Sequence, residues 1–205
     1  MGDWAAGSAE MDGRAARCRW QVARDALQHS GGFTLIEMMA ALAVLAILIS
    51  VAAPSIREFI MNGRIRAQAS DLAGDLALAR SEAVKRNVRV ALCTSNNGTS
   101  CTESAWQAGW IVFADPDADG ALASPETVIK AASALSGGNV LSTTGQGTNS
   151  AGGYYVEYRP SGVVNAAGAA DVVFTLCDSR TTADRGRTIT VSITGRVETK
   201  PVTCS

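Results

Sequence analysis

Read for where its apolar side chains fall, the chain changes pattern twice. Residues 33–53 form an almost unbroken apolar run, whose 21 residues would reach roughly 30 Å as a helix, the thickness of a hydrocarbon layer. Beyond Pro54 the apolar positions thin to a stripe, Ile65, Ala69, Leu72, Leu76, Ala79 and Ala83, in steps of three and four that share one helix face. Arg64, Arg66, Asp71, Asp75, Arg80, Glu82, Lys85 and Arg86 are assigned to the opposite, solvated face. The pattern therefore predicts one helix over residues 33–86, about 80 Å long, half suited to lipid and half amphipathic. Pro54 and Gly63 are the expected sites of a kink or local melting, and Asn87 is the expected stop.

After Asn87 the period shortens to that of strands. Runs rich in β-branched and aromatic residues at 88–93, 109–114, 127–131, 154–158, 172–176 and 188–193 are separated by Gly, Ser, Asn and Asp. Residues 133–153 are so rich in Gly, Ser and Thr that they read as a loop or insertion. No internal repeat is seen. The stripe needs a cover, and the strands are the only partner in the chain. The predicted class is α+β: a long amino-terminal helix, its second half packed on an antiparallel β-sheet.

Composition adds little to this and charge somewhat more. With 205 residues, 47% hydrophobic and 5% aromatic, the chain has room for one ordinary domain plus the apolar segment. A cleaved secretory signal would have an apolar core of about 7–15 residues and a small-residue cleavage site. Here the run is longer, and Pro54 is followed by Ser55-Ile56-Arg57. Ahead of the run lie Arg14, Arg17, Arg19 and Arg24 against Asp3, Glu10, Asp12 and Asp25; a start at Met11 would leave four arginines against two aspartates. Positive flanks stay cytoplasmic, which sends the remainder of the chain across the membrane. The net charge of −1 is unchanged beyond residue 32, since each sign loses four residues, so no global basic field draws the domain to nucleic acid.

Of five cysteines, Cys18 precedes the run while Cys93, Cys101, Cys177 and Cys204 follow it into an oxidising compartment. Four cysteines allow three pairings. The sequence-near pairs Cys93–Cys101 and Cys177–Cys204 are preferred, with connectivity left open.

The stretch "GGFTLIE", from Gly31 to Glu37, resembles the prepilin cleavage motif of type IV pilins and type II secretion pseudopilins. Further on, "LARSEAVKRN", "WQAGWIVFADPDADG" and "CDSR...GRTITVSITGRV" resemble the GspH/FimT subgroup of minor pilins and pseudopilins, and the likeness covers nearly everything after Gly31. It implies a pilin-like fold with four parts: a leader over 1–32, a membrane and filament-core helix over 33–53, its amphipathic continuation over 54–87, and a periplasmic β-rich domain over 88–205. It also implies cutting between Gly32 and Phe33 by a prepilin peptidase, methylation of the new amine, and storage in a bacterial inner membrane as a single-pass protein with its amino end cytoplasmic. Assembly would follow at an inner-membrane platform, with other pilins, into a helical filament. A lone carboxylate in a membrane segment is costly and asks for a partner. The resemblance supplies one for Glu37, the amine of Phe33 on a neighbouring subunit, against the plainer reading that Glu37 only snorkels to the headgroups. Pilus biogenesis is preferred to type II secretion on the two expected disulfides and the carboxy-terminal tail.

No enzyme is expected. The one histidine, His29, lies ahead of the expected cut, so the mature domain holds no His-dependent triad or His-containing zinc site. No cofactor is called for, and calcium is the one metal with a signal. Residues 115–126, "DPDADGALASPE", satisfy D-x-D-x-D-G-x5-E, with Asp115, Asp117, Asp119 and Glu126 as oxygen ligands and Gly120 at the sharp turn. Such loops join two helices, whereas this one follows a predicted strand, so an acidic hairpin turn is preferred. DNA is a further alternative partner. Some members of the resembled family bind it through G-R-x-R, which here reads Gly195-Arg196-Val197-Glu198, with Arg180, Arg185 and Arg187 nearby; Glu198 in place of the second arginine would repel phosphate, and a solvated loop is preferred. Trp106, Trp110 and Phe113 are either a docking patch or core, and core is preferred for at least one strand face.

Overall fold

The computed structural model describes residues 32–148, 153–165, 171–178 and 185–204. The leader over 1–31, with His29 and Cys18, and Arg180 lie outside the described residues. Contacts divide the chain between Ala52 and Ala53 into two units.

A single helix, α1, Leu35–Arg86, is assigned without a break through Pro54 and Gly63. It begins where "FTLIE" places a capping box: Thr34 Oγ1 accepts the Glu37 N–H at 3.2 Å, satisfying one of the orphan amides of the first turn. It ends where Asn87 takes φ 54°, the left-handed conformation that stops a helix. In the first unit every residue from Gly32 to Ala52 is exposed, with Phe33, Leu35 and Ile36 among the most exposed side chains. The helix holds an 18-residue window of mean hydropathy 2.5, long and apolar enough to cross a membrane.

The second unit buries its part of α1 as the spacing requires. Ile65, Ala69, Leu72, Leu76, Ala79 and Ala83 are all buried, at 2% exposure or less. Three of these are alanines, whose short side chains let a sheet approach closely. The cover is two antiparallel sheets rather than the single one expected. Strands β1 (Val90–Thr94), β2 (Trp110–Ala114), β3 (Val128–Ala132), β5 (Gly147–Thr148) and β6 (Tyr154–Tyr158) form the first, in the order β3-β2-β1-β6-β5. Strands β4 (Val140–Thr144), β7 (Val172–Cys177), β8 (Gly186–Val191) and β9 (Val197–Val202) form the second, in the order β4-β7-β8-β9.

Pleat alternation allots the side chains. Val90, Leu92, Trp110, Val112, Val156 and Tyr158 join the core that includes the α1 stripe. Ala91, Cys93, Ile111 and Phe113 make a second cluster with Cys101, Leu122 and Tyr155. Both faces of β2 are therefore core, as are Trp106 and Trp110. In the second sheet Val172, Phe174, Leu176, Ile189 and Val191 are buried at alternate positions, one face in and one out. The Trp106 ring, in the short 3-10 turn over Trp106–Ala108 between β1 and β2, meets Phe174 of the second sheet edge-on at 5.0 Å.

Four assignments differ from expectation. β4 and β5 lie inside the stretch read as loop, because "VLSTT" has little apolar periodicity of its own and becomes a strand through its ladder to β7. β9, "VETKPV", was not anticipated, since it carries Glu198, Lys200 and Pro201; these suit an edge strand, where charge and proline deter further pairing. Asp75 does not lie on the solvated face. It is 2% exposed, accepts the Trp110 indole N–H at 2.9 Å and pairs with Lys130, which the Val112↔Lys130 register sets on the helix-facing side of β3.

Removing Asp75 orphans a buried indole N–H, so Asp75→Ala is expected to cost about 1–3 kcal/mol, and Asp75→Asn, which keeps an acceptor, less. Leu76→Ala should cost about 2–5 kcal/mol and Val84→Ala, on the exposed side, less than about 0.5. Urea unfolding followed by tryptophan fluorescence checks all four; equal costs at Leu76 and Val84 would overturn the assignment of the seam.

Candidate functional site

Three groups of residues carry the expected chemistry, and the fold sets them in different places. The first is the amino end of α1. Gly32 has open space around it, and Phe33 is 77% exposed. This is the geometry a protease or methylase acting at that bond requires. Glu37, in the first turn, lies at the positive end of the helix dipole, which favours a carboxylate there.

The second is the acidic turn between β2 and β3, the strand context that the sequence favours over a helix–loop–helix. Asp115 is buried and organises it: Oδ1 accepts the Ala118 N–H at 2.8 Å and Oδ2 the Gly120 N–H at 3.1 Å. These bonds hold Ala118 at φ 65° and Gly120 at φ 71°. Glycine is doubly needed at 120, since a Cβ there would sit 2.8 Å from the Tyr155 ring. Asp115, Asp117 and Glu126 each bring an oxygen within 4.8 Å of the others. The fourth expected ligand, Asp119, is not in that group; it accepts the Ala121 N–H at 2.7 Å. Glu126 Oε2 accepts the Ala123 N–H at 2.8 Å. The arrangement is that of a turn held by its own amides.

Burial raises the Asp115 carboxyl to about 7, with Asp117 and Glu126 adding to the shift against the two amides that lower it. Glu126 is also raised, by burial first and then by Asp117 and Asp119.

The third group, the arginines, is split. Arg185 and Arg187 stand at the start of β8 beside Glu58, Asn62 and Arg66 of α1, whereas Arg196 lines a separate groove with Arg80 and Lys85. Arg187 faces Pro201 and Val191 faces Val197 across the β8–β9 ladder, so Arg196 lies beyond the other end of that hairpin, over about 13 Å away. Glu198 is paired with Lys200 at 3.1 Å. Both preferred disulfides are present, Cys93–Cys101 and Cys177–Cys204. Asp75 is the residue sequence reasoning misplaced. Its signal was its position, three after Leu72 and four before Ala79, which puts it on the buried stripe.

A protein-family model described as type II transport protein GspH matches residues 68–195, more than half of the chain, and a prokaryotic N-terminal methylation motif matches residues 27–53. Among solved structures, the type IV minor pilin FimU of Pseudomonas aeruginosa is similar at 18% identity, over 70% of this chain and 92% of that one, with a TM-score of 0.49. The minor pseudopilin EpsH of the Vibrio cholerae type 2 secretion system is similar at 12% identity, over 67% of this chain and 97% of that one, with a TM-score of 0.46. No curated protein sequence matches the chain.

The raised Asp115 carboxyl stabilises the fold while protonated, a contribution lost as pH rises from the ordinary carboxylate range through about 7, and Glu126, raised chiefly by burial, acts in the same direction. Glu126→Gln keeps an acceptor for Ala123 and removes a charge. It is expected to raise the urea midpoint at pH 7 by no more than about 1 kcal/mol equivalent, because the turn is partly solvated, and to leave it unchanged at pH 4. An equal effect at both pH values would overturn the assigned cause.

Proposed function

This chain belongs to the type II transport protein GspH family, and from that premise we propose that it is matured at Gly32–Phe33 and assembled as a minor pilin of a type IV pilus. It is a structural subunit of the minor pilin or pseudopilin kind, anchored in a membrane by an apolar helix. The observation that carries the proposal is the division of α1: a buried stripe over Ile65 to Ala83, and before it an apolar stretch over residues 32–52 that is exposed throughout among the described residues.

The mechanism is assembly by change of solvent. In storage, residues 33–53 lie in the bacterial inner membrane with the amino end cytoplasmic and the β domain periplasmic. On the assembly platform the same side chains pass into a bundle of like helices from other subunits, an exchange of one apolar surrounding for another that asks little hydrophobic free energy. What such an exchange lacks is register, and Glu37 supplies it: in a dry bundle its charge is tolerated only where it meets the amine of Phe33 on a neighbour. The family is one of structural subunits, and the reading requires no catalysis by this chain.

The pilus is preferred to the secretion pseudopilus because two disulfides brace the domain, which suits a filament exposed outside the cell. The second reading, a type II secretion pseudopilin, is favoured by the family description itself.

Sequencing of protein recovered from cells should give N-methylated phenylalanine as the first residue when a prepilin peptidase is present and the uncut leader when it is absent; a chain cut after Ala53 would overturn the proposal. Glu37→Gln should leave cutting intact while lowering recovery in sheared filaments at least about tenfold, the scale of losing one partner of a desolvated pair. Deletion of the gene should remove surface pili and spare protein export; the reverse result assigns it to secretion.

A further inference from the structure

The helix stripe and the second sheet run out of apolar residues at the same end, and what replaces them is basic. Continued backward from Ile65 in steps of three and four, the stripe reaches Asn62 and Glu58. On β8, Arg187 shares its face with Ile189 and Val191, which are buried, so an arginine holds the outermost core-facing position of that strand. Between the two lies an open cleft of about 370 Å³, lined by Glu58, Asn62, Arg66, Arg185 and Arg187 among others.

Among the described residues three arginines line it against one carboxylate. Arg185 donates to Glu58 at 3.2 Å, with Glu58 largely solvated. Among the described residues no carboxylate pairs with Arg66 or Arg187. An arginine whose stem caps a core and whose head reaches water would explain Arg187 alone. It does not explain why Arg66 and Arg185 line the same cleft. The wall is also stiff: a Cβ at Gly186 would lie 2.4 Å from the Cys204 sulfur, so the Cys177–Cys204 bridge packs directly behind the start of β8.

We propose that this cleft binds the phosphate of an anionic phospholipid headgroup while the subunit is stored in the membrane. The inference rests on the reading that residues 33–53 span lipid. Its location is fixed by covalent reach. Glu58 and Asn62 lie five and nine residues after Ala53 on an unbroken helix, about 8 and 14 Å along its axis, which is the depth of the headgroup layer and just above it. Its chemistry is that of planar guanidinium forks, which match phosphate oxygens in pairs and are weakly hydrated. Basic side chains close to a membrane-spanning segment add to binding at an anionic surface, and the effect fades within a Debye length, which the cleft satisfies. A headgroup held there tethers the β domain to the bilayer surface. Leaving for a filament, where no lipid follows, would break that tether.

The test uses the full chain in nanodiscs of phosphatidylcholine, alone or with a minority of phosphatidylglycerol, followed by release into mild detergent and native mass spectrometry of retained lipid. The unaltered chain is expected to retain phosphatidylglycerol in preference to phosphatidylcholine. Arg66→Gln and Arg187→Gln should each reduce that preference roughly fivefold, the scale of one basic group at an anionic surface. Glu58→Gln, which removes the one lining carboxylate among the described residues, should increase it, so the inference stays testable even if an arginine variant folds poorly. Equal retention by all four chains would overturn it. So would displacement of the lipid by soluble glycerol phosphate, which would make the ligand a free phosphate, or by a short DNA duplex, which would make it nucleic acid. A chain that never co-elutes with the discs would instead overturn the membrane-spanning reading, and the two failures are read by different measurements.

Discussion

Everything in the folded unit depends on how closely a helix face made largely of alanine can be approached. Ala69, Ala79 and Ala83 keep the surface of α1 shallow, while Leu72 and Leu76 supply the bulk that fills the space between two sheets. Each fully buried leucine contributes about 2 kcal/mol relative to exposure, and the alanines contribute mainly by letting the large side chains of the sheets, Trp106, Trp110, Tyr158 and Phe174, reach the helix. A seam of this kind has one weakness, which is that shallow surfaces slide. The Asp75 carboxylate, gripped by the Trp110 indole and Lys130, is the feature that sets where along the helix the first sheet sits. Its burial is offset by those two bonds, and its directional demand is what small apolar contacts lack.

The same helix must satisfy a second solvent. Toward the amino end of the helix the apolar side chains are exposed, Phe59 and Ile60 after Pro54 and, among the described residues, all of 32–52 before it. A soluble protein could not leave so continuous an apolar surface uncovered without aggregating. A subunit that passes from lipid to a helical bundle can, because neither surrounding contains water.

Sequence reading was strongest where one residue's role is set by periodicity alone. The six stripe positions, the helix stop at Asn87 and the strand over Tyr154–Tyr158 could be read because each follows from local spacing or local conformation. It was weaker where a neighbour decides. β4 has a strand's hydrogen bonds without a strand's composition, and β9 has a strand's place with an edge strand's charges. The acidic stretch over 115–126 shows a third kind of limit. Its spacing presents four acidic residues as equivalent, whereas the fold distinguishes them: Asp119 accepts from Ala121, Asp115 holds the turn at Ala118 and Gly120, and Asp115, Asp117 and Glu126 keep an oxygen each within 4.8 Å of the others. Asp75 fell between these cases, since its spacing placed it on the stripe and its charge argued it off.

The carboxylates of this protein can be ordered by what answers their charge. Asp75 has Lys130, Glu157 has Arg89 at 2.8 Å, Glu82 has Arg86, Glu198 has Lys200, and Glu58 has Arg185. Glu37 has no cation among the described residues, and no Lys or Arg occurs from residue 33 to residue 56. It has only the first turn of its own helix, whose amides carry about half a positive charge. That partial charge serves at a wet membrane edge, whereas a dry bundle asks a carboxylate for a full counter-charge. On the reading proposed above, that charge would be the amine that a cut before Phe33 creates, presented by a neighbouring subunit. On that reading a segment that is otherwise uniform, and so indifferent to register, would gain a single position at which two copies of such a helix fit.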